Sequence, residues 1–339
     1  MEKLSNHTSL RVGGNAANFV TAGTEDEIIS AIESAGDSPI LILGGGTNLL
    51  ISDQGFSGTV IQIKNNNLKG EVDACSGATL TIGAGEDWDS FVALTIQRGF
   101  AGLETLSGIP GTVGAAPIQN IGAYGHEVSE FITRVRTYDR QTKTLKTFTN
   151  LECEFGYRTS IFKKNIGRYV ILDVQFQLRK GEMTTPITYA ELAKELGIEV
   201  EQKADVIKTR EAVLMIRSRK GMLLDNFDKD CWSAGSFFKN PVITKEMADK
   251  LPIDAPKFEQ VNGDVKTSAA WLIENSGITK GQSLNGARIS SKHVLAITND
   301  GSATATDIAS LAAKVRDAVE LKFGIKLEPE VNLVGISLR

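Results

Sequence analysis

The stretch from residue 108 to residue 125, Gly-Ile-Pro-Gly-Thr-Val-Gly-Ala-Ala-Pro-Ile-Gln-Asn-Ile-Gly-Ala-Tyr-Gly, contains five glycines and two prolines but no charged residue. Glycine and proline both destabilise the interior of a helix or strand, so the run predicts an irregular loop. Without Cβ atoms in the way, its main-chain N–H groups can approach a ligand, and successive amides form a concave site for a phosphate. The alternative is a tight, buried structural turn.

A second glycine cluster, Gly44-Gly45-Gly46-Thr47-Asn48, follows the apolar run 39–43, which we expect to be a short buried strand. Ligand sites in α/β proteins commonly lie at such strand ends. The cluster is not a P-loop, because no Gly-Lys-Ser/Thr follows, and it lacks the spacing of a Rossmann fingerprint. Together with 108–125 it predicts two main-chain walls around one long phosphate-bearing ligand, and a dinucleotide fits that shape.

Five side chains elsewhere could do chemistry, and each also has an ordinary structural interpretation. Arg158 is either a surface guanidinium or a cation for a substrate. Ser236, between a glycine and two phenylalanines, is either a turn hydroxyl or an active-site acid, and Glu330, after a proline, has the ordinary interpretation of a strand-edge charge. Arg217 and Lys220 near a predicted helix end either compensate the helix dipole or bind a diphosphate.

The elements that must position these residues alternate between strands and helices in the first third of the chain. Thr24 and Glu27 form a predicted capping box, and the small α/β unit that follows is expected to end near residue 70. Another capping box, Thr188 with Glu191, is predicted to begin a later helix.

Further elements follow from hydrophobic periodicity along the rest of the chain. The predicted strands are 134–138, 169–178, 294–297 and a last one that includes 327–331, and the predicted helices include 205–219 and 269–274. A strong amphipathic helix is predicted from apolar residues at helical spacing, namely Ile308, Leu311, Ala312, Val315 and Val319.

Composition limits the function classes. The 339 residues are 41% hydrophobic and 23% charged with a net charge of −4, which fits two or three globular domains and argues against nucleic-acid binding. No apolar run is long enough for a membrane span, and the N-terminus lacks a signal-peptide core, so we expect a cytoplasmic protein. Cys75, Cys153 and Cys231 are expected to be reduced thiols, and with only three histidines we expect no protein-bound metal.

Taken together, these segments resemble the UDP-N-acetylenolpyruvoylglucosamine reductase (MurB) family of bacterial wall synthesis. The runs that carry the resemblance are 44–50, 108–125, 157–163, 234–241 and 327–331. Thr188-Tyr189 resembles the subgroup that places a tyrosine-bearing loop over the substrate. Two departures are Gly221-Met222-Leu223-Leu224-Asp225, where the family usually has Leu-Pro-Asp-Pro, and Asn332, where an arginine is common.

The resemblance implies an α+β fold in which two subdomains form an FAD-binding fold of the vanillyl-alcohol-oxidase type and a C-terminal α/β domain binds the substrate. We expect these to span residues 1–70, 71–220 and 221–325, with a C-terminal strand in 326–339 able to return to the first.

The resemblance also implies site residues. Non-covalent FAD is expected on Gly44, Gly45, Gly46, Thr47, Asn48, Pro110, Gly111, Thr112, Gly114, Ala115, Gln119, Asn120, Gly122, Ala123 and Tyr124. The substrate is expected on Tyr189, Arg217, Lys220 and Asn240, and the family's catalytic positions correspond to Arg158, Ser236 and Glu330.

The implied activity is that of an oxidoreductase, UDP-N-acetylmuramate dehydrogenase, with NADPH as co-substrate. It reduces UDP-N-acetylglucosamine enolpyruvate to UDP-N-acetylmuramate; Ser236 protonates the C2 enolate, and Arg158 and Glu330 stabilise it. We expect a monomer that binds neither nucleic acid nor membrane. Two alternatives remain at this stage: an FAD-dependent sugar or alcohol oxidase of the same fold, and a flavin- or nucleotide-binding module without catalysis.

Overall fold

The computed structural model of the protein describes residues 1–73 and 77–338. Cys75 lies outside the described residues, whereas Cys153 and Cys231 are buried free thiols. Among the helices of the described residues, none has the length and apolarity that a membrane crossing requires.

Strands and short helices alternate along the chain. The strands are β1 (Ala16–Ala22), β2 (Ile40–Leu43), β3 (Leu49–Ile51), β4 (Phe56–Ile63), β5 (Leu68–Asp73), β6 (Gly77–Gly83), β7 (Phe100–Ala101), β8 (Gly122–Ala123), β9 (His126–Glu127), β10 (Ile132–Asp139), β11 (Thr144–Thr149), β12 (Tyr169–Lys180), β13 (Ser233–Ser236), β14 (Val242–Ile243), β15 (Lys257–Glu259), β16 (Val265–Thr267), β17 (Ser283–Leu284), β18 (Ala287–Ile289), β19 (Ala296–Asn299) and β20 (Asn332–Val334). The α-helices are α1 (Glu25–Ser34), α2 (Trp88–Gln97), α3 (Ile161–Lys164), α4 (Ala190–Leu196), α5 (Val206–Arg219), α6 (Lys245–Asp249), α7 (Ala269–Glu274) and α8 (Ala305–Phe323).

The chain forms two compact units. Unit 1 comprises Met1, Ala17–Gly45 and Ser57–Leu223, and unit 2 comprises Glu2–Ala16, Gly46–Phe56 and Leu224–Arg339. The boundary after Leu223 lies close to the predicted boundary at 221, whereas two N-terminal segments group with the C-terminal third. The finer division into three domains stays a prediction.

Unit 1 is built on two sheets. The small sheet has the order β1-β4-β2, with β2 parallel to β4, and the large antiparallel sheet has the order β11-β10-β12-β6-β5, with β7 also pairing with β12. Helix α2 buries Trp88 and Phe91 against Phe176 of β12, with ring centroids 5.0–6.1 Å apart. Each buried aromatic side chain stabilises the fold by about 1.5–3 kcal/mol, so this cluster forms the centre of the core.

Unit 2 contains an antiparallel sheet of order β13-β19-β18-β17, a smaller sheet of order β14-β16-β15, and the parallel pair β20-β3. Helix α8 covers the larger sheet with the predicted apolar face, since Ile308, Leu311, Ala312, Val315 and Val319 are all buried. A capping box at Thr304 and Asp307 begins this helix, and Gly324, with φ +67°, ends it. The mixture of mainly antiparallel sheets and separate helices confirms the α+β class.

Local signals explain which predicted elements are confirmed. The capping box at Thr24 is present, since its hydroxyl accepts from Glu27 N and the Glu27 side chain accepts from the Thr24 N–H. The box predicted at Thr188 is wrong: α4 begins after Tyr189, which is extended and makes no side-chain cap.

Two predicted strands are shifted along the chain. The strand predicted at 294–297 runs instead over Ala296–Asn299, and the last strand is Asn332–Val334 rather than 327–331. Pro329 has no N–H to donate and makes only an isolated bridge with Phe238, so a ladder begins after it, where Asn332 aligns with Leu49 of β3.

Candidate active site

Gly44 and Thr112, one from each glycine-rich segment, meet inside unit 1. A Cβ atom built on Gly44 would lie 2.5 Å from Thr112 Oγ1, so the main chain at position 44 lies against the Thr112 side chain and leaves no room for a Cβ unless that side chain moves. The main-chain N–H groups of Gly44, Gly111 and Thr112 have no protein partner among residues 1–73 and 77–338. This is a backbone-lined cradle whose donors suit an anionic group such as a diphosphate, and it fits the cofactor that the sequence predicts.

Gly108, where the glycine-rich stretch begins, is clamped from both sides. Its N–H donates to Asp89 Oδ1 at 2.6 Å, and its carbonyl accepts from Arg217 Nε at 3.0 Å. Arg217 Nη2 also donates to Met222 O at 3.1 Å, and Arg210 holds Asp89 through two hydrogen bonds of 2.6 and 2.8 Å. The clamp fixes the start of the loop to helices α2 and α5.

Burial and hydrogen bonding shift the pKa values of the two charged groups that hold Gly108, Arg217 and Asp89. Arg217 is only 8% exposed, and desolvation lowers the pKa of its guanidinium although Tyr124 and Asp89 oppose that shift. Burial alone would raise the pKa of Asp89, but hydrogen bonds from Arg210 and the Gly108 N–H outweigh it and lower that pKa. Arg217 therefore lies beneath the loop with two main-chain carbonyls, and its expected substrate role stays a prediction.

Hydrogen bonds join the run 157–163 to the middle of the glycine-rich stretch. Arg158 Nη2 donates to Gly122 O at 2.9 Å and Nη1 donates to Asn120 O at 3.4 Å. Ser160 Oγ donates to Ile118 O at 2.5 Å and also caps α3 by accepting from Lys163 N. Two segments that the sequence singles out separately therefore form one structure.

One further contact joins the same two segments. Lys163 Nζ lies 3.3 Å from Gln119 Oε1. Arg158, Asn120 and Tyr124 all have left-handed backbone, with φ of 52°, 47° and 51°. Non-glycine residues adopt this conformation uncommonly, and such residues cluster at functional sites. The remaining predicted cofactor residues of the stretch are Pro110, partly buried; Gly114, which contacts Ala84; Ala115, exposed; and Ala123, in β8.

The tyrosine-bearing segment lies against the end of the same stretch. A Cβ on Gly125 would lie 2.7 Å from Thr188 Oγ1, and the rings of Tyr124 and Tyr189 meet edge to face with centroids 5.4 Å apart. Burial raises the pKa of Tyr124 to about 12, so its hydroxyl stays protonated at neutral pH. Unit 1 therefore places Tyr189, which is 43% exposed, beside the end of the glycine-rich stretch.

Lys220, at the C-terminal cap of α5, forms an ion pair with Glu191 in the first turn of α4. The Nζ–Oε2 distance is 2.6 Å, and both side chains are about one-third exposed, at 32% and 39%. Solvent screens such a pair, so it is weak enough for an anionic ligand to compete for the lysine.

Unit 2 brings Ser236 and Glu330 together. The N–H of Glu330 donates to Phe237 O at 2.8 Å, and the N–H of Lys239 donates to Glu328 O at 3.0 Å, so the two predicted catalytic segments lie side by side. Ser236 is the last residue of β13 and is partly buried.

Asn48, a cluster residue that falls in unit 2, contacts Glu330 and the strand β20. Asn48 Nδ2 donates to Glu330 O at 3.3 Å, and Asn48 O accepts from both the main-chain and side-chain nitrogens of Asn332. A Cβ on Gly46 would overlap His7 O at 1.8 Å. Asn332, a departure from the family pattern, thus holds Asn48 to the C-terminal strand.

Asn240 also has a structural contact, because its Oδ1 accepts from the N–H of Ala269 at 2.9 Å, at the start of α7. Its expected substrate role stays a prediction, as does the meeting of Arg158, in unit 1, with Ser236 and Glu330, in unit 2. Sequence reasoning missed Asp89, because its partners Gly108 and Arg210 belong to distant segments that no local pattern links to it. It also missed Glu127, whose partner Asn120 is nearby in the chain, because an irregular loop has no periodicity that would signal the contact.

Comparison with known proteins gives one consistent result. Residues 225–334 match the family model described as UDP-N-acetylenolpyruvoylglucosamine reductase, C-terminal domain, and residues 16–147 match an FAD binding domain. The chain is 48% identical to the UDP-N-acetylenolpyruvoylglucosamine reductase of Cutibacterium acnes, over 98% of this chain and 89% of that protein. It is 46% identical to that of Streptomyces avermitilis, over 98% and 93%.

A solved structure agrees. The crystal structure of UDP-N-acetylenolpyruvylglucosamine reductase (MurB) from Thermus caldophilus superposes with a TM-score of 0.68 at 25% identity, covering 98% of this chain and 97% of that one. The family that the sequence resembles and the FAD-binding fold are both confirmed.

Proposed function

This chain belongs to the UDP-N-acetylenolpyruvoylglucosamine reductase family, and on that premise we propose which of its residues carry the family's reaction. The enzyme reduces UDP-N-acetylglucosamine enolpyruvate to UDP-N-acetylmuramate, a precursor of peptidoglycan, with FAD as cofactor and NADPH as reductant. The alternatives of an oxidase and of a flavin-binding module without catalysis are set aside, because the relatives are reductases along nearly the whole chain.

Main-chain donors of the cradle would hold FAD. The N–H groups of Gly44, Gly111 and Thr112 in unit 1 suit its diphosphate. When bound, FAD would supply the hydride chemistry that links NADPH to C3 of the enolpyruvyl group. The chain's own residues must hold the carboxylate, stabilise the charge that develops at C2 and deliver one proton.

Arg158 is the residue we assign to the substrate carboxylate. Its guanidinium is planar, permanently charged and able to donate two parallel hydrogen bonds to a carboxylate. Charge flows into that carboxylate as C2 becomes a carbanion, so the interaction strengthens in the transition state. The carbonyls of Asn120 and Gly122 fix the direction of the guanidinium.

Ser236 is assigned as the acid that protonates C2. A serine hydroxyl is a weak acid, but an enolate is basic enough to take its proton when the hydroxyl is aimed at the carbon. Glu330 is assigned, with Arg158, to stabilising the enolate. The observation that carries this assignment is the Glu330 N–H to Phe237 O hydrogen bond of 2.8 Å, which holds the two segments side by side.

Four residues are assigned to the sugar nucleotide: Tyr189, Arg217, Lys220 and Asn240. The support is strongest for Tyr189 and Lys220, which are accessible and lie at the start of α4 and the end of α5. An ammonium and a phenolic hydroxyl both suit phosphate oxygens.

We further propose that the enzyme acts as a monomer in the cytoplasm. Buried free thiols at Cys153 and Cys231 suit a reducing compartment. Light scattering coupled to size-exclusion chromatography tests the monomer, and a dimer mass would contradict it.

The assay that tests the function is NADPH oxidation by the purified yellow protein, followed by absorbance. Oxidation should depend on added UDP-N-acetylglucosamine enolpyruvate and should yield one UDP-N-acetylmuramate per NADPH under anaerobic conditions. Turnover of a sugar or alcohol at the expense of oxygen, with no response to the enolpyruvyl substrate, would contradict the proposal.

A further inference from the structure

Asn120 has a fully buried side chain whose amide makes three hydrogen bonds within unit 1. Its Nδ2 donates to Glu127 Oε2 at 2.7 Å and to Gly156 O at 3.2 Å, and its Oδ1 accepts from Ser129 N at 3.1 Å. Its relative exposure is 0%. Both acceptors facing Nδ2 are oxygen atoms, and the donor facing Oδ1 is an N–H, so the amide has one allowed orientation.

The same residue contacts Arg158 and also the turn that contains it. Its main-chain carbonyl accepts from Arg158 Nη1 at 3.4 Å, while its side chain holds Gly156 O. Gly156 and Thr159 close a tight turn through two reciprocal hydrogen bonds of 3.1 Å, and Arg158 lies within that turn at φ +52°. Asn120 thus fixes the carbonyl beneath the guanidinium and also the turn from which the arginine projects.

Glu127 sets the orientation of Asn120. Its carboxylate accepts from Asn120 Nδ2 and from the main-chain N–H of Glu130. The two residues lie across the β8–β9 hairpin, where Gly122 pairs with Glu127. A Cβ on Gly122 would lie 3.0 Å from Glu127 Cγ and 3.3 Å from Arg158 Nη1, so the three groups are closely packed.

We propose that Asn120, oriented by Glu127, is a positioning residue that acts through Arg158 to hold the substrate carboxylate. The inference rests on the proposed function, since it takes the role of Arg158 from there. The Asn120 side chain is enclosed by protein groups on three sides, so it serves the reaction by fixing the loop and the arginine. A shift of about 1 Å in a reacting group costs on the order of 10²-fold in rate, which is the scale expected here.

The test compares two ligands of the holoenzyme that differ by one lactyl ether group, which carries the carboxylate. UDP-N-acetylmuramate has the lactyl carboxylate, and UDP-N-acetylglucosamine lacks it. Titration of the two ligands into the Arg158→Ala variant shows how much carboxylate-selective binding is lost when the arginine itself is removed. The Asn120→Ala variant should weaken UDP-N-acetylmuramate binding roughly tenfold, the effect of one hydrogen bond to a charged group, and leave UDP-N-acetylglucosamine binding unchanged.

A double variant that exchanges the hydrogen-bond donor at position 120 with the acceptor at position 127 supplies the matched control. Asn120→Asp places a carboxylate against Glu127 and Gly156 O and should lose carboxylate-selective binding as strongly as Asn120→Ala. Adding Glu127→Gln restores a donor, because the new amide can donate to the carboxylate introduced at position 120 while its oxygen accepts from Glu130 N. The double variant Asn120→Asp/Glu127→Gln should recover part of the selectivity.

Flavin content and thermal unfolding of each variant show whether it has folded. If Asn120→Ala does not retain FAD, the comparison moves to Glu127→Gln alone, for which a smaller loss confined to the carboxylate-bearing ligand is expected. If Arg158→Ala weakens both ligands equally, the proposed function of Arg158 is wrong. If Arg158→Ala is selective but Asn120→Ala and Glu127→Gln are not, the positioning role is wrong.

Discussion

Gly44 lies so close to Thr112 that a Cβ atom at position 44 would stand 2.5 Å from the threonine hydroxyl oxygen. Gly44 and Thr112 belong to two glycine-rich segments that are far apart in the sequence. The two residues themselves both lie in unit 1. Their contact turns two ambiguous loops into one site with main-chain donors. The cofactor assignment of unit 1 depends on it.

Gly44→Ala should therefore weaken FAD binding, because overpacking of this kind costs about 1–3 kcal/mol, or roughly 10–100-fold in affinity. Fluorescence titration of the apoprotein with FAD measures the effect. Thr112→Ala removes the atom in conflict, so Gly44→Ala/Thr112→Ala should bind FAD more tightly than Gly44→Ala. Gly23→Ala is the control, because its Cβ would lie 3.6 Å from Glu27 Oε2, an ordinary contact. Normal FAD binding by Gly44→Ala would contradict the cradle.

Arg217→Ala should destabilise the fold, because it leaves the buried carbonyl of Gly108 without its donor. An unsatisfied buried acceptor costs about 1–3 kcal/mol, measurable by urea unfolding of the holoenzyme. Arg219, two residues along, pairs with Glu195 at the surface, so Arg219→Ala should have a smaller effect. Equal effects of the two substitutions would show that the clamp on Gly108 contributes nothing to stability.

The Gly108 clamp also marks the limit of sequence-based prediction. The capping box of Thr24 and Glu27 and the apolar face of α8 can each be recognised from residues close together in the sequence. Both predictions are confirmed. Asp89 and Gly108 are 19 residues apart and Arg217 is 109 residues beyond Gly108, so no periodicity links them.

Tertiary contacts explain why the predicted capping box at Thr188 and the predicted bounds of the last strand are wrong. Thr188 matches a capping box, but its hydroxyl faces Gly125, and the helix starts later. The last strand starts at Asn332 because pairing with Leu49 of β3 decides its register. Contacts with distant segments therefore override local propensity at these positions.

The pair of His126 and Glu130 predicts how stability depends on pH. The hydrogen bond to Glu130 raises the pKa of His126, with a Nδ1–Oε2 distance of 2.7 Å. Burial would raise the pKa of Glu130, but the hydrogen bonds from His126 and the Glu127 N–H outweigh it and lower that pKa.

The stabilisation from the raised pKa of His126 is complete below its unfolded value of about 6.5 and is lost as pH rises through the folded value. The contribution of Glu130 is present above its unfolded value of about 4.3 and is lost as pH falls through its lower folded value. The melting temperature of the wild type should exceed that of His126→Gln most between these limits, at about pH 5–6, and the difference should shrink toward about pH 9. A difference that grows with pH would contradict this account.

Lys220→Ala should raise the KM for the sugar nucleotide and leave kcat nearly unchanged, because a cation on the diphosphate contributes equally to the ground and transition states. One charged hydrogen bond corresponds to roughly a tenfold change. Steady-state kinetics at saturating NADPH separates the two constants. Lys250→Ala, which removes an exposed lysine paired with Glu246, is the control. A loss of kcat alone would exclude the diphosphate role.

Stopped-flow absorbance of the Ser236→Ala variant shows whether Ser236 delivers the proton to C2, because it separates the two half-reactions. Reduction of the flavin by NADPH should proceed at nearly the wild-type rate, whereas reoxidation by UDP-N-acetylglucosamine enolpyruvate should slow by roughly 10²–10⁴-fold, the usual range for general acid catalysis. Ser310→Ala, on an exposed face of α8, should leave both rates unchanged. Equal slowing of both half-reactions in Ser236→Ala, or slowing of neither, would contradict the account.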